Sequence, residues 1–159
     1  MKQAVSISLG SSARDKVIET ELLGQPVRLE RRGTDGDIER AKALFAELDG
    51  QVDALGLGGI DLWVQLDERR YAISAAHKLV EHVKQTPVVD GSGLKNTLEK
   101  QVTQALIDSL GPRYHSGKVL LTAAIDRYGM TLAFVNQGYD VTFGDLMFAL
   151  GLPIALRSF

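Results

Sequence analysis

The chain contains no cysteine, which excludes disulfides and thiolate metal sites. Neither sign of charge is in excess: 18 Lys+Arg face 20 Asp+Glu, for a net charge of −2. No electrostatic case for nucleic acid follows from that balance. Small basic clusters at Arg28, Arg31 and Arg32, and at Arg69 and Arg70, are interleaved with acids and read as solvated hairpin faces. No apolar run reaches membrane-spanning length. The opening MKQAVSISLG has too short an apolar run for a signal peptide. These absences lead us to expect a cytoplasmic protein with neither nucleic acid nor membrane as a partner. Three catalytic or phosphate-binding signatures are missing as well: the G-x-x-x-x-G-K-[ST] loop, the G-x-G-x-x-G dinucleotide turn and the G-x-S-x-G elbow.

At 159 residues the chain is long enough for one domain with a sizeable core. Its 45% hydrophobic and 24% charged residues are ordinary for a globular protein. One stretch stands apart. Val119–Leu156 holds only four charges: Asp126, Arg127, Asp140 and Asp145. So little charge predicts a core around which earlier elements pack. Val119–Ala123 reads as a short central strand. The helix that follows is apolar almost all round from Met130 to Val135, so it should be buried on most sides. Gly138 ends it, Tyr139–Phe143 is a second strand, and Gly144-Asp145 opens a last helix. This β-α-β pattern predicts parallel strands.

Earlier in the chain, Ala4–Leu9 alternates as a first strand. Lys16–Leu22 and Val27–Arg31 read as a hairpin around Leu23-Gly24-Gln25-Pro26. Thr34-Asp35-Gly36-Asp37 has turn and cap chemistry, and Ile38, Ala41, Phe45 and Leu48 then recur at helical spacing until Gly50. Val52–Leu57 is another strand. Leu62–Leu66 and Arg70–Ile73 pair across Asp67-Glu68-Arg69. Ser74–Lys84 reads as a helix and Pro87–Val89 as a strand. Leu94, Leu98, Val102, Leu106 and Leu110 form an i, i+4 stripe that predicts one amphipathic helix. The alternation of strands and helices predicts a single α/β domain over residues 1–159. It should have a mostly parallel, Rossmann-like sheet, helices on both faces and added antiparallel hairpins.

In such folds ligands bind beyond the carboxyl ends of the strands. The small residues cluster there: Gly10-Ser11-Ser12, Gly56 to Gly59, Gly91 to Gly93, and the turn after Ala123. Asp90-Gly91-Ser92-Gly93-Leu94-Lys95-Asn96-Thr97 follows a strand and opens a helix. Its small residues let a backbone approach an anion, and Lys95 adds charge. The plain alternative is a turn with a capping-box spacing from Asn96 to Glu99. Asp126 and Arg127 lie where a nearly uncharged helix meets its strand. Arg127 has the fork geometry for a carboxylate or phosphate; the alternative is an Asp cap with a structural ion pair. Asp145 is placed either to bind a ribose hydroxyl or to cap its own helix. The histidines form no evident metal site. His77 and His82 lie about 140° apart on a helix, and His115 sits in a polar loop.

Four strings together carry a resemblance: Val52–Asp61 (VDALGLGGID), Pro87–Glu99 (PVVDGSGLKNTLE), Thr122–Met130 (TAAIDRYGM) and Gly138–Pro153 (GYDVTFGDLMFALGLP). Over essentially the whole chain they resemble a group of bacterial proteins known as quinate 5-dehydrogenase-like. The resemblance implies a quinate- or shikimate-type oxidoreductase using NAD or NADP, on a chain that continues beyond this point. It carries over Asp90, Ser92, Lys95, Asn96, Thr97, Asp126, Arg127 and Asp145 without assigning them roles.

The resulting expectation is a domain that binds a small anionic ligand or nucleotide at the strand carboxyl ends. Lys95, Arg127 and the N–H groups near Gly91, Ser92 and Gly93 would hold the anion, with Asn96, Thr97 and Asp145 nearby. Asp126 or Asp90 would serve as base. The rival expectation is a non-catalytic ligand-sensing or assembly module. The apolar ending, Phe148–Leu156, calls for a surface to pack on: the domain's own core, a symmetric partner or a carboxyl-terminal domain.

Overall fold

The computed structural model describes residues 1–114 and 116–157. Its elements are, in order, β1 (Lys2–Ser8), β2 (Lys16–Leu22), β3 (Gln25–Gly33), α1 (Ile38–Leu48), β4 (Ala54–Gly58), β5 (Trp63–Leu66) and β6 (Arg69–Ala72). There follow α2 (Ser74–Leu79), β7 (Val88–Val89), α3 (Ser92–Lys95), α4 (Val102–Leu110), β8 (Lys118–Leu121), α5 (Tyr128–Asn136), β9 (Asp140–Phe143) and α6 (Asp145–Leu150). The chain forms two compact units. One is Met1–Trp63 with Ala72–Gly91; the other is Val64–Tyr71 with the residues from Ser92 onward. The sequence reads as one domain, whereas each of these units has a core of its own.

The first unit is built on a five-stranded sheet of order β2-β3-β1-β4-β7. β1 runs parallel to β3 and β4, β4 is parallel to β7, and β2 is antiparallel to β3. A mixed α/β fold with a mostly parallel sheet and an added hairpin is thus present. The hairpin turns on Leu23 and Gly24, both at positive φ (50° and 76°), as the tightest hairpin loops require. Register sets Val5 beside Leu55 and Ile7 beside Leu57. Strand alternation puts these four on one face, where they join Ala41, Phe45 and Leu48 of α1 and Ala76 and Leu79 of α2 in a single core.

α1 opens on Asp37, whose carboxylate accepts the Arg40 N–H at 2.9 Å. Ile38, expected to face inward, is 51% exposed. The helix expected over Ser74–Lys84 stops at Leu79. The reason lies at Asp49, whose carboxylate accepts the N–H groups of Lys84, Gln85 and Thr86 at 2.8, 2.9 and 2.8 Å. Those bonds draw the following chain away from a helical path. They also hold the Asp49 carboxyl below its ordinary range, led by the Lys84 N–H.

In the second unit β8 and β9 pair in parallel, with Val119 beside Val141 and Leu121 beside Phe143. α5 connects them, which is the β-α-β unit read from the sequence. Every residue of α5 from Tyr128 to Val135 is buried or half-buried, as its lack of polar residues predicts. Leu121, Ala124, Phe134, Val141 and Phe143 form the core, and Val102 and Leu106 of α4 pack on it.

Two expectations are corrected here. The low-charge stretch is not the core of the whole chain. It supplies the second core only, and Leu120, Ile125, Phe148 and Leu150 are 53, 53, 58 and 64% exposed. The apolar stripe from Leu94 to Leu110 is not one helix either. It is broken into α3, a 3-10 turn at Leu98–Gln101 and α4, and Leu94 and Leu98 are exposed. Asn96 and Thr97 cause the break. Their side chains donate to the carbonyls of Ser92 (2.9 Å) and Gly93 (2.7 Å), the local bonding by which short polar side chains compete with a helix.

The loops after β1, β4 and β7 lie at one edge of the parallel sheet, as expected. The turn after Ala123 follows β8, which belongs to a separate two-stranded sheet. No helix among the described residues is long and apolar enough to cross a membrane.

Candidate functional site

The second unit gathers most of the sequence-predicted site residues around the first turn of α5. By connectivity this turn lies on the carboxyl-end side of β8. The Ala124 and Ile125 N–H groups, in the turn before α5, donate to Asp145 Oδ2 and Oδ1, each at 3.0 Å. Thr131, fully buried, donates from Oγ1 to the Ala124 carbonyl at 2.8 Å and also bonds to that of Arg127. The turn is therefore fixed from both sides. Asp145 does not cap its own helix: the N-cap is Gly144, with no side-chain bond.

α3 is drawn against this turn by charge. Lys95 Nζ lies 2.6 Å from Asp126 Oδ1, and Arg127 pairs with Glu99 Oε1. The other Glu99 oxygen is buried without a hydrogen-bond partner among the described residues, so Arg127 is what keeps that acid from standing as an uncompensated charge. Gly129 permits the approach. A Cβ there would meet the Lys95 carbonyl at 2.7 Å and Lys100 Cγ at 2.8 Å. Neither Asp126 nor Asn96 acts as a cap: the N-cap of α5 is Arg127, and that of the 3-10 turn is Thr97.

The β5–β6 turn joins the same cluster. The Tyr128 hydroxyl donates to Asp67 Oδ1 at 2.9 Å, a bond that pushes the phenol pKa up. Asn96 Nδ2 donates to Gln65 Oε1 at 3.1 Å. Between these groups opens a polar cleft of about 770 Å³, bordered by Asp67, Arg69, Asn96, Lys100 and Tyr128. Arg69 and Lys100 make no ion pair among the described residues. Two cations outside any ion pair, two acids (Asp67 and Glu68), an amide and a phenol thus border one cavity.

Residues 3–90 match the family model Domain of unknown function (DUF8753), and residues 93–159 match Domain of unknown function (DUF8754). The chain belongs to the DUF8753 family. No curated protein and no solved structure matches it. The DUF8753 match ends at Asp90 and the DUF8754 match begins at Gly93. The change from one compact unit to the other, between Gly91 and Ser92, falls between them.

Asp90 closes the DUF8753 segment, where it accepts the Leu62 N–H at 2.7 Å; Gly91 belongs to the same compact unit. Lys95, Asn96, Asp126, Arg127 and Asp145 all fall in the DUF8754 segment and meet as described. Thr97, in that segment, bonds the Gly93 carbonyl. Reading the sequence missed Arg69, Lys100, Tyr128 and Asp67. Arg69 was placed among solvated hairpin charges, and nothing in its spacing links it to a helix some thirty residues on. His77 packs edge-on against Trp63, ring centroids 4.8 Å apart, and His82 lies beside Glu81. His115 lies outside the described residues. Among the described residues no three His, Cys, Asp or Glu side chains cluster as metal ligands would.

Proposed function

We propose that this protein binds a small anionic ligand in the polar cleft beside α5. The observation that carries the reading is the pair of cations, Arg69 and Lys100, which border a cavity of about 770 Å³ together with Asp67 and Glu68 yet form no ion pair among the described residues. A carboxylate or phosphate there gains charge-assisted bonds from a guanidinium fork and an ammonium. Asn96 and Tyr128 supply directional contacts that a bulk counter-ion would not use. Lys95 and Arg127 position the α3 and α5 backbones through their own acids, and the ligand's charge is met by the second pair of cations.

The Rossmann-like reading belongs to this proposal. It is supported by the parallel order β3-β1-β4-β7, in which chain order reverses between β1 and β4, the pattern of doubly wound sheets. A cytoplasmic setting suits a metabolite ligand. Oxidoreductase chemistry with NAD or NADP is the form of the proposal that the resemblance implies; binding without turnover would make the protein a sensing or assembly module. A homodimer would cover Met147, Phe148 and Leu150 of α6, which are 38, 58 and 64% exposed.

The test is a thermal-shift screen of small hydroxy acids including quinate and shikimate, inorganic phosphate, nucleoside phosphates, NAD(H) and NADP(H). A ligand at 100 times its dissociation constant adds about 2.7 kcal/mol to stability. The expected result is a shift with an anion that Arg69→Ala and Lys100→Ala each reduce. An anion shift unchanged in both variants refutes the site.

A further inference from the structure

A second cavity of about 420 Å³ is also bordered by Tyr128 and Asp67, which are hydrogen-bonded to each other. Its walls are apolar, with Ile125, Phe143, Leu146 and Leu156 among them. Among the described residues its charged ones are Asp67 and Asp145, with no lysine or arginine. We infer that this cavity is a separate binding site for a small primary amine with an apolar body, held through its ammonium by Asp67 and Asp145.

The size falls in the range of small-molecule sites, and apolar walls with a few placed polar groups are their usual make-up. The charge pattern selects the head group. Asp145 takes one backbone N–H on each carboxylate oxygen, and Asp67 takes the Tyr128 hydroxyl on Oδ1. A carboxylate has about four acceptor positions, so both acids keep capacity for further donors. An ammonium brings three donors and no acceptor. A ligand carboxylate or phosphate would meet two acids and no cation, and the turn N–H groups that might bind it already hold Asp145. The polar cleft sets Arg69 and Lys100 beside its acids Asp67 and Glu68, whereas this cavity has acids alone, although the two share Leu66, Asp67 and Tyr128.

Benzylamine, benzyl alcohol and benzoate have one ring and three head groups, and titrating each into the ¹⁵N-labelled protein separates the possibilities. The expected result is movement of the Ala124 and Ile125 amide signals with benzylamine, at an affinity at least tenfold above benzyl alcohol, and none with benzoate. Leu146→Trp should fill the cavity and abolish binding. Asp67→Asn, at an exposed turn position with φ 51° that Asn tolerates, should bring the amine-to-alcohol preference below threefold with the fold retained. Arg69→Ala and Lys100→Ala, which should weaken anion binding in the cleft, should not weaken benzylamine binding, and this separates the inference from the anion site. Benzyl alcohol binding as tightly as benzylamine, no binding of benzylamine, or an Asp67→Asn variant with its full preference would each overturn it.

Discussion

Replacing Asp145 with alanine removes the acceptor that holds the turn between β8 and α5. Two N–H groups lose their partner, and their surroundings differ. Ala124 is 5% exposed, so its N–H would be left in the interior, at a cost of about 1–3 kcal/mol. Ile125 is 53% exposed, so water replaces its lost bond and the loss is roughly 0.5–1.5 kcal/mol. Together the substitution should destabilise the protein by about 1.5–4.5 kcal/mol. Asp145→Asn keeps one carbonyl acceptor and should cost about half as much. Urea unfolding followed by far-ultraviolet circular dichroism reads both variants. For a chain of this length unfolding as one, the alanine variant should also melt about 5–10 °C lower. An alanine variant within about 0.5 kcal/mol of the parent would refute the anchoring role, as would an asparagine variant costing more than the alanine one.

Asp49 should make stability depend on acid pH. Its carboxyl is held below the ordinary value of 3.8 by backbone N–H bonds. A depressed carboxyl contributes stability above its unfolded value, and that contribution is lost as pH falls through the lower folded value. The urea midpoint of the parent should therefore fall more steeply below pH 3.8 than that of Asp49→Asn, and parallel acid limbs would remove this explanation. Gly129→Ala would push a methyl to 2.7 Å from the Lys95 carbonyl and 2.8 Å from Lys100 Cγ. The lysine side chain can yield, but the backbone carbonyl cannot without moving α3. A loss of about 1–3 kcal/mol and weaker binding of an anion in the cleft are expected; an unperturbed variant would mean that α3 is not seated on α5.

Secondary structure was legible where local chemistry and burial agree. The β8-α5-β9 unit was readable because its strands are short apolar runs and its helix has almost no polar residue. The cap at Asp37 follows from turn chemistry, and the hairpin around Leu23-Gly24-Gln25-Pro26 from the alternation of its second strand, although Gln25 and Pro26 lie within β3. Continuity was harder to read. The leucine spacing from Leu94 to Leu110 persists across Asn96 and Thr97, yet those two side chains bond back to the carbonyls behind them and end α3. Apolar periodicity identifies a face and says nothing about an interruption within it. The end of α2 is set by Asp49, some thirty residues earlier, so no local window contains the reason. Low charge was likewise a poor guide to burial at Phe148 and Leu150.

The site was legible in part for the same reason. Asp126 and Arg127 stood out because charges are rare in their surroundings, and Lys95 because it follows a run of small residues that opens a helix; Lys95 and Asp126 do meet. The sequence could not show that these cations are already paired with the chain's own acids. Nor could it show that the β5–β6 turn brings Arg69 and Asp67 to the cleft that Lys100 and Tyr128 border, since that contact joins residues distant in the chain.

The central claim is that Arg69 and Lys100 hold an anion in the cleft beside α5. The most direct measurement is an amide-resolved titration of the ¹⁵N-labelled protein with the anion that gives the largest thermal shift, run on the parent and on the Arg69→Ala, Lys100→Ala double variant. The account predicts saturable movement of the Asn96, Lys100 and Tyr128 signals in the parent, and at least a tenfold weaker response in the folded double variant. Saturation of the same signals with equal affinity in both proteins, or saturable movement confined to residues elsewhere, would contradict it.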